Sequence, residues 1–178
     1  MKQKKKTRII QNSLPPRPKS LKGFRIQYAA LPYRIMPDEN IDILLITSRE
    51  THRWVLPKGW PMENKLPCQT AQTEAYEEAG IIGQITCEPV GFYTYPKILE
   101  EQKYVWCHVA VFPLLVAQQC VIWPEKEERE SNWFSPEEAA KCVHEQELAD
   151  LLRSFPAASI FTDQDDNRSL KHAQRLFS

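Results

Sequence analysis

WVLPKGWPMENKLPCQTAQTEAYEEAGI, residues 54–81, is the stretch from which the rest of the chain can be interpreted. An apolar run ends in Pro-Lys-Gly, and a polar loop leads to a predicted helix that carries Glu74, Glu77 and Glu78. Because an α-helix turns about 100° per residue, Glu77 lies about 60° from Glu74 and Glu78 about 40° from it. One arc of the helix therefore carries three carboxylates. They repel one another, and a divalent cation with oxygen ligands would offset that repulsion.

This stretch resembles the Nudix box of the Nudix hydrolases, whose pattern is Gly, five residues, Glu, seven residues, then Arg-Glu-apolar-x-Glu-Glu-x-Gly-apolar. Gly59 stands at the first glycine, and Glu74 stands at the glutamate that follows the arginine. Glu77 and Glu78 form the Glu-Glu pair, and Gly80 closes the box. The resemblance implies an α/β/α sandwich around a mixed sheet, whereas the order of elements alone indicates only an α/β or α+β fold.

Two positions depart from the box. Lys65 stands where the family has its first Glu, and Thr73 stands where it has Arg. In the family this Arg helps to fix the catalytic loop and its glutamate, through an ion pair that Thr73 cannot form. Since both members of a potential pair are missing together, neither leaves an orphan charge behind. We therefore predict an active enzyme. The alternative is a catalytically degenerate Nudix-fold module that binds a nucleotide.

The resemblance implies hydrolysis of a phosphoanhydride bond by water, with Mg²⁺ or Mn²⁺ as the metal. Glu77, Glu78 and the carbonyl of Gly59 are the expected metal ligands. Glu74 is either a further ligand or the base that activates water. An additional carboxylate could come from a later loop, whose acidic candidates are Glu127, Glu128 and Glu130.

Three basic side chains are candidates for binding substrate phosphates: Arg53, Lys58 and Arg129. A guanidinium binds phosphate through a two-pronged contact, and an ammonium acts as a point charge. The segment WVLPKGWP and the later Trp-Pro-Glu-Lys and Trp-Phe-Ser-Pro-Glu-Glu-Ala segments resemble the branch related to diphosphoinositol polyphosphate and diadenosine polyphosphate hydrolases. The resemblance implies a small substrate that carries many phosphate charges.

Charge is distributed unevenly along the 178 residues, although the formal net charge is zero. Residues 1–36 hold ten Lys and Arg and no acidic residue, so the remainder is acidic. We interpret the basic start as a solubilising arm. Contact with nucleic acid is the alternative, and the Lys2–Arg8 cluster would then indicate an RNA 5′-end pyrophosphohydrolase.

The chain divides into a basic arm at 1–22, a Nudix-type domain at 23–155 and a tail at 156–178 with the pattern of a short helix. No apolar run approaches the roughly 20 residues that span a bilayer, and no secretory signal is recognisable, so we predict no membrane contact. The five cysteines lack C-x-x-C spacing, and we expect free thiols in a reducing cytoplasm. The sequence leaves the oligomeric state open.

Alternation of apolar residues, turn residues and capping signals predict the secondary structure. Two strands separated by a break lie between 81 and 95, and a hairpin loop covers 100–103. Further strands are predicted at 24–36, 41–48, 54–56, 104–116 and 132–134. The box helix is followed by a helix that Ser135 caps and Pro136 begins, and by another at 145–155.

Overall fold

Runs of branched, aromatic and leucine residues form the strands, because such side chains pack well on a pleated surface. The computed structural model describes residues 16–99 and 104–155, and within these ranges eight strands join one mixed sheet. The strands are β1 (Arg25–Ile35), β2 (Ile41–Thr47), β3 (Trp54–Val55), β4 (Lys58–Gly59), β5 (Ile81–Ile85), β6 (Gly91–Ile98), β7 (Tyr104–Gln119) and β8 (Ser131–Phe134).

β1 and β7 lie side by side in the middle of the sheet and run parallel, with a register from Arg25 opposite Cys107 to Tyr33 opposite Leu115. The strand order is β3-β2-β1-β7-β5, with β4 on β1, β6 on β7 and β8 on β2. These other pairings are antiparallel. A parallel pair requires a long crossover connection, and the segment between β1 and β7 supplies it.

Helices cover both faces of this sheet. They are α1 (Pro67–Ala79), α2 (Pro136–Cys142) and α3 (146–155, where the described residues end). α1 buries Ala71, Ala75 and Ala79 against one face, because small residues at a spacing of four allow a close approach. Leu148 and Leu152 of α3 are buried in the core of the opposite face, to which α2 also contributes. The predicted α/β/α sandwich with a mixed sheet is therefore confirmed.

Both ends of α1 follow from local sequence signals. Pro67 occupies the first helical position, where its missing N–H costs nothing. The N–H of Leu66 donates to Gln69 Oε1 at 2.9 Å, which satisfies a donor at the start of the helix. Gly80 ends the helix with φ 68°, and its N–H donates to the carbonyl of Tyr76 at 2.9 Å. This left-handed conformation favours glycine.

Most predicted elements are present, and the differences are local. β7 continues past residue 116 to Gln119, and α3 begins at 146. The two-residue strand β4 is not among the predicted strands, because Pro57 and Pro61 exclude a helix but are compatible with either extended or turn geometry. Pro57 still accepts a hydrogen bond from the Ala30 N–H at 3.0 Å, so this proline joins the edge of the pairing through its carbonyl.

The predicted arm and tail lie mostly outside the described residues, as does the hairpin loop at 100–103. The described end of the arm contains a 3₁₀ turn at Leu21–Gly23. Arg17 there forms an ion pair with Glu147 of α3 at 2.7 Å. Within the described ranges, each helix is too short or too polar to span a bilayer.

The expectation of five free thiols is wrong for two of them. Cys68 and Cys87 form a disulfide, with their Cα atoms 5.1 Å apart. Cys107, Cys120 and Cys142 are free. The disulfide links the first turn of α1 to the segment that follows β5. Sequence spacing could not predict this pairing, because it depends on how α1 packs on the sheet.

Candidate active site

Gly59 and Glu74 lie in contact where β4 passes beneath α1. Gly59 pairs with Tyr28 of β1 and is buried. A Cβ atom at this position would lie 1.8 Å from Glu74 Oε1 and 2.2 Å from its Cδ. Only glycine therefore allows the carboxylate to approach the backbone this closely. Gly59 and Glu74, two of the predicted site residues, thus come together because Gly59 has no side chain.

Glu78 connects α1 to two other parts of the chain. It is 8% exposed, which is unusual for a glutamate. Its Oε2 accepts a hydrogen bond from the N–H of Lys58 at 3.0 Å, and its Oε1 accepts one from Arg129 Nη2. A buried carboxylate needs such partners, because removing them would leave an uncompensated charge. Glu77, one residue earlier, is partly exposed.

Arg129 belongs to the loop between β7 and β8, and its side chain is 7% exposed. Besides Glu78, its guanidinium donates from Nε to Glu125 Oε2 at 2.6 Å and from Nη1 to the Thr47 carbonyl at 3.1 Å. The same loop is joined to α1 by the N–H of Glu125, which donates to the carbonyl of Glu77 at 3.0 Å. Every nitrogen of the Arg129 guanidinium therefore has a protein partner.

The carboxylates of α1 influence one another's protonation. Burial, followed by the charges of Glu78 and Glu77, raises the pKa of Glu74 to about 7. Burial also raises the pKa of Glu78, although Arg129 and Lys58 oppose that shift. The carboxylates therefore repel one another in the absence of a cation. A bound divalent ion would favour their ionised forms.

The donor set fits a hard divalent cation. Three carboxylates on one arc of α1 and a backbone carbonyl supply the oxygen ligands that Mg²⁺ prefers. Burial and the neighbouring carboxylates raise the pKa of Glu74, and a bound cation would offset both effects. In the described residues no set of three or more acidic, His or Cys side chains is already gathered in metal-binding geometry. Metal binding at this cluster would therefore require rotation of the carboxylate side chains. Each carboxylate can then present either of its two oxygens to the cation.

Lys65 and Thr73, the two departures from the box, lie in contact. Lys65 Nζ donates to Thr73 Oγ1 at 2.8 Å, and the Thr73 hydroxyl donates to the carbonyl of Gln69 at 2.9 Å. The two altered positions are thus spatial neighbours, and a hydrogen bond joins them.

The other predicted substrate residues, Arg53 and Lys58, lie towards the opposite face of the sheet. Arg53 donates from Nε to Thr51 Oγ1 at 3.2 Å, and its Nη1 lies 4.0 Å from Glu145 Oε1. Lys58 Nζ lies 5.3 Å from the centre of the Tyr95 ring. Burial lowers the pKa of Lys58, and the charge of Glu78 opposes this shift.

Glu125 is the acidic loop residue that sequence reasoning missed. The candidates predicted from the sequence are Glu127, Glu128 and Glu130. Glu128 contacts Arg49 at 3.2 Å, whereas the charge of Glu125 contributes to the raised pKa values of both Glu74 and Glu78. The signal available in the sequence was the spacing of four between Glu125 and Arg129.

Comparisons with known proteins identify the family of this domain. The model of the NUDIX domain family matches residues 29–155. Nudix hydrolase 21, chloroplastic, of Arabidopsis thaliana is 33% identical over 138 residues, covering 75% of this chain and 67% of that protein. Diphosphoinositol polyphosphate phosphohydrolase 3-alpha of Mus musculus is 28% identical over 123 residues, covering 68% and 70%. Among solved structures, a binary complex of the C. elegans Ap4A hydrolase has a TM-score of 0.56 at 24% identity, covering 76% and 98%.

Proposed function

Since the chain belongs to the Nudix family of hydrolases, we propose that it cleaves a phosphoanhydride bond in a small polyphosphorylated molecule, using Mg²⁺ or Mn²⁺. Dinucleoside polyphosphates and diphosphoinositol polyphosphates are the substrate types that we propose. The mouse relative is named for diphosphoinositol polyphosphate, and the C. elegans structure is named for Ap4A. Both proposed substrate types combine an acid anhydride with several further negative charges.

The observation that carries this proposal is the junction of Gly59, Glu74 and Glu78. Glu74 lies against the Gly59 backbone, and Glu78 accepts the N–H of the neighbouring Lys58. A strand and a helix, rather than a loop alone, thus hold two of the carboxylates against the backbone of residues 58 and 59. Such rigid support limits misplacement of reacting groups, which is costly in catalysis.

We assign the metal to Glu77, Glu78 and the carbonyl of Gly59, with Glu74 beside them. When bound, the cation neutralises charge on the phosphate oxygens. Glu74 accepts the proton of the attacking water. A bound cation would favour the ionised form of Glu74, which is the form that a general base needs near neutral pH. Glu74 could instead be a further ligand, and the metal dependence of a Glu74→Gln variant would distinguish the two roles.

We also propose a different role for Arg129 from the phosphate contact expected at first. Its three nitrogens are engaged by Glu78, Glu125 and Thr47. A guanidinium so engaged cannot form a two-pronged contact with phosphate without giving up buried partners. Arg129 instead holds Glu78 in place. It thereby supplies the ion pair to a box glutamate that Thr73 cannot form.

The proposal is tested with a panel of purified substrates incubated with the protein and Mg²⁺ or Mn²⁺. The panel contains dinucleoside polyphosphates, diphosphoinositol polyphosphates, nucleotide sugars and nucleoside triphosphates. We expect release of phosphate-containing products from one or both of the first two classes, and none in the presence of a chelator. Folded protein that binds a nucleotide tightly without turnover would favour the degenerate binding module, for which Thr73 is the motivating observation.

A cytoplasmic location stays a prediction. The Arabidopsis relative is named chloroplastic, and the Cys68–Cys87 disulfide is unusual for a reducing compartment. Cell fractionation with an antibody against the protein tests the prediction, and recovery in an organelle fraction would contradict it.

A further inference from the structure

Three cationic side chains gather around two aromatic rings on the sheet face opposite α1. Arg25 Cζ lies 4.2 Å and Lys97 Nζ 4.8 Å from the centre of the Trp60 ring, and Lys58 Nζ lies 5.3 Å from that of Tyr95. Trp60 and Tyr95 belong to the core on the α2 and α3 side. The aromatic faces hold these cations in place by cation–π attraction.

The strands fix this cluster. Arg25 begins β1 and Lys97 lies near the end of β6, and both strands pair with β7. Their partners on β7 are Cys107 and Val105, which are two residues apart. Both charges lie within 5 Å of one ring centre. They are therefore separated by less than about 10 Å, a distance over which charges at a protein surface still interact appreciably in salt.

In the described part of the chain this cluster has no carboxylate at ion-pair distance, although the charges of Glu78 and Glu145 act on Lys58 from farther away. Among the described residues, no carboxylate forms an ion pair with Arg25, Lys58 or Lys97, in contrast to Arg17 and Arg34, which have one. Neighbouring cations beside a partly buried ring repel one another. An anion that binds between them would relieve that repulsion.

The cluster adjoins the proposed catalytic site through three consecutive residues. The N–H of Lys58 holds Glu78, while its side chain reaches the Tyr95 ring. Gly59 contacts Glu74, and the ring of Trp60 contacts the cationic groups of Arg25 and Lys97. Because β4 lies off the main strand order and pairs with β1, a molecule with several phosphates could reach both places around this edge of the sheet.

We propose that Arg25, Lys58 and Lys97, held on Trp60 and Tyr95, bind the phosphate groups of the substrate that are not cleaved. This inference rests on the proposed function and deepens it. The ligand class is a chain or cluster of phosphates with at least three charges. The subsite therefore favours polyphosphorylated substrates over molecules that carry only the anhydride itself.

Binding of inorganic tripolyphosphate, measured by calorimetry with a chelator present, tests the subsite without turnover. We expect Arg25→Gln and Lys97→Gln each to weaken binding by about tenfold, since a charge-assisted contact contributes about that factor. Lys141→Gln, an exposed change on α2, is the matched control and should bind as the wild type does. Wild-type protein that does not bind tripolyphosphate, or a double variant that binds it equally well, would overturn the subsite.

Kinetics with the best substrate of the panel separate this inference from the proposed function. The Arg25→Gln/Lys97→Gln variant should raise KM at least tenfold for a dinucleoside tetraphosphate or a diphosphoinositol polyphosphate. Its kcat should stay within about twofold, because the contact is lost equally from the ground and transition states. KM for ADP-ribose, with its two phosphates, should change less. The polyphosphorylated substrate whose KM rises more in the double variant is the one that the subsite binds.

The outcomes are distinguishable. A wild type that cleaves nothing but binds tripolyphosphate through Arg25 and Lys97 removes the proposed function and leaves the subsite. An active wild type whose KM and tripolyphosphate binding are unchanged in the double variant removes the subsite and leaves the proposed function.

Discussion

At the scale of the residue, Gly59 is the position where the smallest change should have the largest effect on activity. An added Cβ would collide with the Glu74 carboxylate, which can swing away because it ends a flexible side chain. We expect Gly59→Ala to remain folded and to lose about a hundredfold in kcat, the cost of displacing a catalytic group by about 1 Å.

Gly91→Ala is the matched control for this prediction, because its new methyl group would meet Leu151 on the other face of the sheet. Steady-state rates and far-UV circular dichroism on both variants provide the comparison. Equal activity of Gly59→Ala and wild type would contradict the assigned contact between Gly59 and Glu74.

Glu74 should make the metal-free protein less stable as the pH rises. Its pKa is about 7 in the folded state and 4.5 as the ordinary value, so the folded state binds the proton more tightly. Stability is therefore lost between about pH 4.5 and pH 7. Solvent reduces the cost for a half-exposed group, so we expect Glu74→Gln to stabilise the metal-free protein at pH 8 by about 1 kcal/mol.

Urea unfolding with a chelator at pH 4 and pH 8 measures this effect of Glu74→Gln. The stabilisation should be present at pH 8 and largely absent at pH 4, where wild-type Glu74 is protonated in both states. A variant that is less stable than wild type at both pH values would contradict the raised pKa.

Arg129 should matter for stability as well as activity. Arg129→Met would leave Glu78 buried and without its ion-pair partner, at a cost of about 3–5 kcal/mol in unfolding free energy. Glu78→Gln should reduce that cost, because a neutral amide has no charge to leave unpaired. Urea unfolding of the two single variants and the double variant measures the coupling between them. Additive effects would show that the two side chains do not act together.

The sequence was informative about some site residues and silent about others for a physical reason. Glu74 and Glu78 belong to one helix, so their shared arc follows from helix geometry. The contact between Glu78 and Arg129 joins residues 51 positions apart. Which basic side chain reaches a buried carboxylate depends on how the loop before β8 docks, and local spacing does not contain that information.

At the scale of the element, the disulfide fixes the start of α1 to the segment after β5. Alkylation of the denatured protein should modify three cysteines without a reductant and all five after reduction. Mass spectrometry counts the additions. Modification of all five cysteines without reduction would contradict the Cys68–Cys87 bond.

Cys87→Ser is the control for alkylation, since four cysteines should react with or without reductant. The same variant should lower the free energy of unfolding by about 3 kcal/mol, the effect expected for a cross-link that closes a loop of this length.

Elements with strong local signals were predictable, and those that depend on partners were not. The helix α1 begins at Pro67, and Gly80 caps its end, as the sequence indicated. Ser135 caps α2 as predicted, since its Oγ accepts the Glu138 N–H at 3.3 Å, and the Ser135 N–H donates to Glu138 Oε2 at 3.1 Å. β4 was missed because two residues between prolines carry no strand pattern. Only their pairing with β1 makes them a strand.

At the scale of the whole molecule, the sheet separates an acidic cluster from a cationic cluster, and strand β4 contributes residues to both. The carboxylates of α1 lie on one face, where we propose that they hold a cation. The cationic cluster around Trp60 lies towards the other face, where we propose that it holds remote phosphates. The three residues 58–60 contribute to both. The fold class was predictable from the box and the order of elements, whereas the cationic cluster was not, because Arg25, Trp60 and Lys97 come from three separate elements.

Turnover of diadenosine tetraphosphate and of a diphosphoinositol polyphosphate by wild type and Glu78→Gln, with Mg²⁺, tests the central claim most directly. The account predicts that wild type cleaves at least one of them and that Glu78→Gln loses at least about a hundredfold in rate while its circular dichroism spectrum is unchanged. A folded Glu78→Gln protein with the wild-type rate would contradict it.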